Sequence, residues 1–110
     1  IKDRGVLLRS HIQLLLSGER EKLQEFCRRN GRTAATRITV IDRNGQVLAD
    51  SNENPAHMDN HATRPEIVTA LAGKVGSSLR FSKTLQQNML YVALPLPEDT
   101  APPGVLRLSV

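Results

Sequence analysis

The strongest constraint on this chain is the tetrapeptide Asp42-Arg43-Asn44-Gly45, which places a turn former at its start and a glycine able to enter the left-handed region at its end. Before it, Arg37 to Asp42 is rich in β-branched residues, with Ile38 and Val40 alternating with Thr39 and Ile41. Directly after it come the apolar Val47-Leu48-Ala49. The two runs read as the arms of a β-hairpin, so the fold must contain a sheet with at least one buried face.

The rest of the chain supplies partners for that hairpin. Residues 3 to 30 read as one long helix, because Leu8, Ile12, Leu15, Leu23 and Phe26 share a stripe at helical spacing while Arg9, Gln13, Arg20 and Gln24 face elsewhere. Asn30-Gly31 is the expected stop, and Gly18 marks a place for a bend. A second, short helix is expected after the polar stretch 50 to 62. Thr63 and Glu66 have capping-box spacing, Pro65 suits a first turn, Ile67, Ala70 and Leu71 form the buried side, and Gly73 ends it. Three more strands follow, over residues 77 to 83, 88 to 94 and 105 to 110. A Leu85-Gln86-Gln87-Asn88 turn and a Pro-rich loop from Pro95 to Gly104 separate them. Helix, strand, strand, helix and three strands describe an α+β fold: a five-stranded antiparallel sheet with a long N-terminal helix and a short second helix.

At 110 residues the chain has room for one core, and it reads as a single domain with the long helix over about 3 to 30 and the sheet and short helix over about 37 to 110. With no Trp, one Tyr and two Phe, that core must be made of Leu, Ile, Val and Ala. Cys27 is the only cysteine, so no internal disulfide forms, and no His or Cys pairs stand at zinc-ligand spacing. The net charge of +4 is concentrated in the first third: residues 1 to 37 hold nine Lys/Arg against four Asp/Glu, and the remainder six against seven. Such a basic helix suits a membrane-proximal or a solvated face. A nucleic-acid partner is not expected, because no aromatic residues are interleaved among the basic ones. No apolar run reaches the roughly 18 residues of a membrane span. The chain opens on Ile1 and ends in the strand-like Val105 to Val110, so flanking membrane segments are expected beyond both ends.

The stretch from Arg37 to Leu96 resembles the extracytoplasmic sensor region of PhoR-like phosphate-regulon histidine kinases, a single-Cache-like variant of the PAS fold. The residues that carry the likeness are Arg-Ile-Thr-Val-Ile-Asp-Arg-Asn-Gly-Gln-Val-Leu-Ala-Asp-Ser from 37, Met58-Asp59-Asn60-His61 and Arg64-Pro65-Glu66-Ile67. Ala70-Leu71-Ala72-Gly73, Val75-Gly76, Arg80-Phe81-Ser82, Thr84-Leu85 and Met89-Leu90-Tyr91-Val92-Ala93 continue it. The resemblance implies a periplasmic or cell-surface module of a bacterial membrane protein, set between two transmembrane helices. Its long first helix would continue from the first of them, and the parent kinase would be a homodimer. The implied function is signal input without chemistry; a cytoplasmic PAS-type interaction module and a small hydrolase are the alternatives.

The candidate ligand residues are His61, Arg64, Asn60 and Tyr91. The first three cluster at the start of the second helix, where free N–H groups and the positive dipole end suit a small ligand or anion such as phosphate. The same residues can equally hold a loop, with Arg64 pairing Asp50 or Asp59 and His61 bonding backbone carbonyls. Tyr91, with Phe81 and Met89, either lines a cavity inside the curved sheet or packs as core. His57, Asp59 and His61 alternate, a spacing that reaches a metal only if the loop is extended, and no metal is assigned. Asp50, Ser51 and His61 contain triad residue types without a nucleophile elbow, so no catalytic residue and no cofactor is expected.

The apolar stripe of the long helix is wider than a core-facing seam needs, since Leu16 and Cys27 extend it to one side and Leu7 and Leu14 to the other. The expected consequence is that the first helices of two copies meet in the full-length protein. Single cysteines at positions 7, 9, 11, 14, 16 and 18, with Cys27 replaced, should crosslink with helical periodicity and most strongly at 7 and 14. A flat profile, or one that peaks at position 9, would contradict the paired arrangement.

Overall fold

The computed structural model describes residues 9, 12, 20–34, 36–82, 86–96 and 104–110. The chain runs α1 (Arg20–Ala34), β1 (Arg37–Asp42), β2 (Val47–Asp50), a 3-10 turn (Pro55–His57), α2 (Pro65–Leu71), β3 (Gly76–Ser82), β4 (Gln87–Pro95) and β5 (Gly104–Ser109). Arg9 and Ile12 are also helical. The strands form one fully antiparallel sheet in the order β2-β1-β5-β4-β3, which puts the last strand in the centre between the first and the fourth.

The hairpin forms where the sequence places it. Asp42 closes the turn by pairing its N–H with Gln46 O at 2.9 Å, and its Oδ1 accepts from the N–H groups of Asn44 (2.9 Å) and Gln46 (3.0 Å). Gly45 has φ +88°, the conformation that only glycine adopts without strain. The register then shifts: Val40 faces Ala49 but Ile41 faces Val47, so Leu48 is an extra residue in β2. This bulge sends Ala49 to one face of the sheet and Val47 to the other, where strict alternation would have put them together.

The sheet is covered on both faces. On one, α1 packs over β1 and β2, and Leu23, Cys27 and Ile12 join Ile38, Val40, Ala49, Leu106 and Leu108 in a dry cluster. On the other, Ile67 and Ala70 of α2 meet Ile41, Val47, Ala93 and Val105. Burial drives the Cys27 thiol up to about 12, so it serves as an inert core group. Gln24 of α1 completes the edge strand: its Nε2 donates to Asp50 O (2.8 Å) and its Oε1 accepts from Asp50 N (2.9 Å).

Two helix boundaries differ from expectation. α1 does not stop at Asn30-Gly31 but continues to Ala34. The Asn30 amide donates back to Phe26 O within the helix (2.9 Å), and Gly31 is buried against the end of β2, where a Cβ would lie 2.5 Å from Ser51 Cβ. Gly31 is a close-approach residue, not a terminator. The second helix begins at Pro65 with Arg64 as its N-cap and with no side-chain cap, so Thr63 lies one residue too early. Pro65 offers no N–H to cap, and the Ile67 and Val68 N–H groups bond to Arg64 O at 3.0 and 2.9 Å. At the other end the expected stop is found: Gly73 N donates to Ala70 O (3.0 Å) and Lys74 N to Thr69 O (3.2 Å), the paired bonds of a Schellman motif.

The three late strands each start about one residue earlier than expected. Gln87, assigned to a turn, opens β4 opposite Ser82. Leu7, Leu14, Leu8, Leu15, Leu16, Gly18 and the centre of the Pro-rich loop lie outside the described residues.

These corrections change the expected effects of two substitutions. Thr63→Ala should leave the urea midpoint within about 0.5 kcal/mol of the parent, because no cap is lost. Gly31→Ala should destabilise by about 1–3 kcal/mol through overpacking, although alanine is favoured by roughly 1 kcal/mol in an unobstructed helix. Urea unfolding of the two variants side by side measures both, and a stabilised Gly31→Ala protein would contradict the close approach.

Candidate functional site

Along β5 the side chains alternate between the two faces, so Leu106 and Leu108 point to the α1 core while Val105, Arg107 and Ser109 belong to the α2 face. Towards the C-terminal end of β5 this second face becomes polar. Arg37 of β1, Ser109 and Tyr91 of β4 lie side by side in register, and in the next row Thr39 and Arg107 do the same. α2 covers only the apolar part of the face. Beyond it, the segment between the 3-10 turn and α2 closes a cavity of about 300 Å³ whose inner wall includes Arg37, His61, Arg80, Tyr91 and Arg107. Arg64, Glu53, Asp59, His57 and Met58 complete its lining.

The wall is built around one buried carboxylate. Glu66, in the first turn of α2, is fully buried, and its Oε1 accepts from Arg80 Nη1. Its Oε2 accepts from Arg80 Nη2 at 3.0 Å and from Arg107 Nη1 at 3.3 Å. Burial alone would raise its pKa, but the Arg80 hydrogen bonds and the fields of Arg80 and Arg107 outweigh burial and hold the carboxyl below the usual range. Both guanidiniums also stack on Tyr91, with Arg80 4.0 Å and Arg107 5.0 Å from the ring centroid. Burial pushes the Arg107 pKa down despite Glu66, and the Glu66 hydrogen bond pushes that of Arg80 up. Both remain cations at neutral pH.

A second carboxylate, Asp50, is also fully buried and is used up within the protein. It accepts from Arg37 Nε (3.1 Å to each oxygen), from Thr39 Oγ1 (2.8 Å) and from the N–H groups of Asn52 (2.8 Å) and Glu53 (3.0 Å). Arg37 reaches Glu53 as well, at 3.7 Å. One carboxylate, Glu66, thus serves two guanidiniums, and Arg64 makes no side-chain ion pair among the described residues. The inner wall therefore carries an excess of positive charge, while the carboxylates of Glu53 and Asp59 lie near solvent at the rim. Among the described residues, two buried polar atoms on this face have no hydrogen-bond partner: Arg107 Nε and Ser109 Oγ. Buried polar groups are nearly always satisfied, so these two mark where a polar group of a ligand or water belongs.

Of the four candidate residues, the structure brings His61, Arg64 and Tyr91 to this cavity. Asn60 is turned away from it: its Nδ2 donates to Asn44 O (2.9 Å) and its Oδ1 accepts from Ala62 N (2.8 Å), fastening the loop to the hairpin turn. His61 is buried, and its Nδ1 lies 2.6 Å from Asp59 O, so Nδ1 carries the proton because a carbonyl can only accept. Burial, then Arg107, Arg64 and Arg37, lower its pKa, against the opposing Asp59 carbonyl. The carbonyl bond matches the loop-holding alternative, but the pairing of Arg64 with Asp50 is not formed, since Arg37 occupies Asp50. Phe81 is exposed on the face opposite Arg80 and does not line this cavity.

His57, Asp59 and His61 do not converge, and no group of three His, Cys, Asp or Glu side chains placed to hold a metal exists among the described residues. Asp50, Ser51 and His61 form no relay: Ser51 Oγ accepts from Ile38 N (2.9 Å) and donates to Asn52 (2.8 Å). Sequence reasoning missed Arg37, Arg80, Arg107 and Glu66. The one visible signal was Arg107 itself, a charge in the middle of the apolar run Val105-Leu106-Arg107-Leu108. Replacing Glu66 by Gln should destabilise by about 3–5 kcal/mol, because Arg107 is left buried without its counter-charge. The native carboxylate contributes stability above its unfolded pKa and loses it as the pH falls through its folded pKa, which the arginines hold below the usual carboxylate range. Urea unfolding between neutral and strongly acid pH should show this decline in the parent and a flatter curve in Glu66→Gln.

The family comparison agrees with this architecture. The Single Cache-like family model matches residues 13–110. No curated protein matches the chain. Among solved structures, the Vibrio cholerae histidine kinase DctB sensor domain superposes with a TM-score of 0.69 at 22% identity, covering 86% of this chain and 38% of that one. The ligand-binding domain of the Campylobacter jejuni chemoreceptor Tlp3, solved with 4-methylisoleucine, gives 0.72 at 17% identity, over 94% of this chain and 47% of that one. The Escherichia coli DcuS sensor domain gives 0.64 at 15% identity, over 86% and 71%. The chain thus spans less than half of the first two structures, and at these identities the likeness is one of fold. With nearly its whole length matched by the family model, and with the antiparallel sheet and two helices in place, the chain belongs to the Single Cache-like family.

Proposed function

We propose that this chain is the signal-input domain of a membrane-bound two-component sensor histidine kinase, exposed outside the cytoplasm, and that it responds to a small anion held in the cavity over β5. The observation that carries the reading is the arginine-rich inner wall, above all the buried Arg107 with its unpaired Nε. An anion contacting Arg107 and Arg64 would supply the missing hydrogen-bond acceptor and meet the excess positive charge. The histidine kinase sensor domain, the DcuS sensor domain and the chemoreceptor ligand-binding domain of the same fold support a sensing role.

The topology offers a route for the signal. Arg107 faces the cavity, while its neighbours Leu106 and Leu108 pack in the core beneath α1. A ligand that pulls on Arg107 therefore acts on the strand that also carries the first helix. In the full-length protein this helix and the C-terminal strand would pass the shift to flanking transmembrane helices of a homodimer. The ligand must bind the two signalling states with different affinity, since equal binding shifts nothing. The PhoR-like pattern of residues 37–96 makes inorganic phosphate the first anion to examine and the phosphate regulon the corresponding output; a carboxylate metabolite uses the same donors.

Isothermal titration with inorganic phosphate, succinate and glutamate separates these sources. One of them should bind the parent chain, and Arg64→Gln should weaken it at least tenfold while leaving the urea midpoint nearly unchanged, because Arg64 makes no ion pair among the described residues. Binding that survives both Arg64→Gln and Tyr91→Ala would place the ligand elsewhere.

A further inference from the structure

We infer that anion binding in this cavity is coupled to the uptake of one proton by His61, so that the domain reads acidity and anion concentration together. The inference rests on the anion-site reading above and adds a co-ligand to it.

The geometry leaves His61 a single role to play. Its backbone is pinned: His61 N donates to Gly45 O (2.8 Å), and Arg64 N donates to His61 O (3.0 Å). Its ring is oriented by the 2.6 Å contact of Nδ1 with Asp59 O, and that contact requires the proton on Nδ1. In the neutral ring the other nitrogen, Nε2, is then only an acceptor. Nε2 has no protein partner among the described residues, and the ring lines the cavity beside Arg107 and Arg64. The oxygens of a fully deprotonated anion, such as sulfate or a carboxylate, also only accept. The neutral ring therefore sets a lone pair against a lone pair, and one proton on Nε2 turns the same contact into a charge-assisted hydrogen bond.

The surrounding charges make the coupling directional. Arg37 from β1, Arg107 from β5, Arg80 from β3 and Arg64 ahead of α2 line the cavity with His61, as does Tyr91 from β4. Of the carboxylates nearby, Glu66 of α2 is bound to Arg80 and Arg107, while Glu53 and Asp59 sit at the rim with His57. Burial and the cations hold the His61 pKa below that of a free histidine when no ligand is present. A bound anion opposes those cations at close range and favours the protonated ring. His61 thus differs from the arginines: they carry their charge before the ligand arrives, and it acquires its charge on arrival.

Sulfate and oxalate are suitable probes, since neither titrates between about pH 6 and 8, where histidine does. Calorimetry in two buffers of different ionisation enthalpy reads proton uptake, and a ¹H–¹³C titration of the histidine rings identifies which one takes the proton, separating His61 from the rim residue His57. The coupling predicts an uptake approaching one proton per anion near neutral pH. It also predicts an affinity that weakens about tenfold per pH unit as the pH rises between the free and bound pKa of His61. His61→Gln should bind with a flat pH profile, and the ring titration of the unaltered chain stands as a test even if this variant folds poorly. Binding at Arg107 and Tyr91 with no proton uptake and an unmoved His61 titration overturns the coupling and leaves the anion site standing. Failure of both probes to bind at any pH in this range overturns the coupling and the anion site together.

Discussion

A carboxylate with no solvent exposure organises the cavity face of this domain. Removing Glu66 from water is tolerable only because two guanidiniums reach it from different strands, Arg80 from the edge strand β3 and Arg107 from the central strand β5. The pairing fastens a helix of only seven residues to the sheet, which its apolar contacts through Ile67 and Ala70 could do only weakly on their own. It also decides where the cations stand. Arg80 and Arg107 are held against Tyr91 as well as Glu66, so the wall of the cavity is preorganised before any ligand arrives.

The sheet is more than a scaffold for that wall. Because adjacent residues on a strand face opposite sides, β5 presents Arg107 to the cavity and Leu106 and Leu108 to the α1 core. The bulge at Leu48 performs a similar division at the edge, sending Ala49 to one core and Val47 to the other. Asp50 follows at the end of that strand, where it holds Arg37 and the loop carrying Glu53, and where Gln24 of α1 bonds its backbone. Helix α1 and the cavity are thus connected twice, through the centre of the sheet and through its edge.

The loop that closes the cavity depends on the hairpin turn. Gly45 accepts the His61 N–H, and Asn60 bonds Asn44, so the segment bearing the cavity-lining histidine is strapped to the β1–β2 turn. An added Cβ at Gly45 would lie 2.4 Å from Asn60 Oδ1, so the glycine answers both to its positive φ and to this contact. Asn60 belongs to the machinery that places His61, although it does not face the cavity itself.

What the residues settle by themselves is local. Turn chemistry at Asp42 to Gly45, β-branched alternation in Arg37–Asp42, and the glycine stop at Gly73 are short-range effects, decided by backbone sterics and nearest-neighbour hydrogen bonds, and they specify the hairpin, the short helix end and the α+β class. Periodicity likewise places Leu23 and Cys27 in the core. Those rules fail where distant segments meet. Thr63 and Glu66 have the spacing of a capping box, yet Glu66 turns inward, because two arginines 14 and 41 residues further on bind its charge more strongly than a cap would. Gly31 looks like a terminator, yet it is a point where the helix touches Ser51. The cavity is the fullest case: Arg37, Arg80 and Arg107 are isolated charges along the chain and become one site only when strand order β2-β1-β5-β4-β3 brings them to one face. Hydrogen bonding within a few residues is encoded in the local sequence; the neutralisation of buried charge is a long-range matter, and only the tertiary structure decides it.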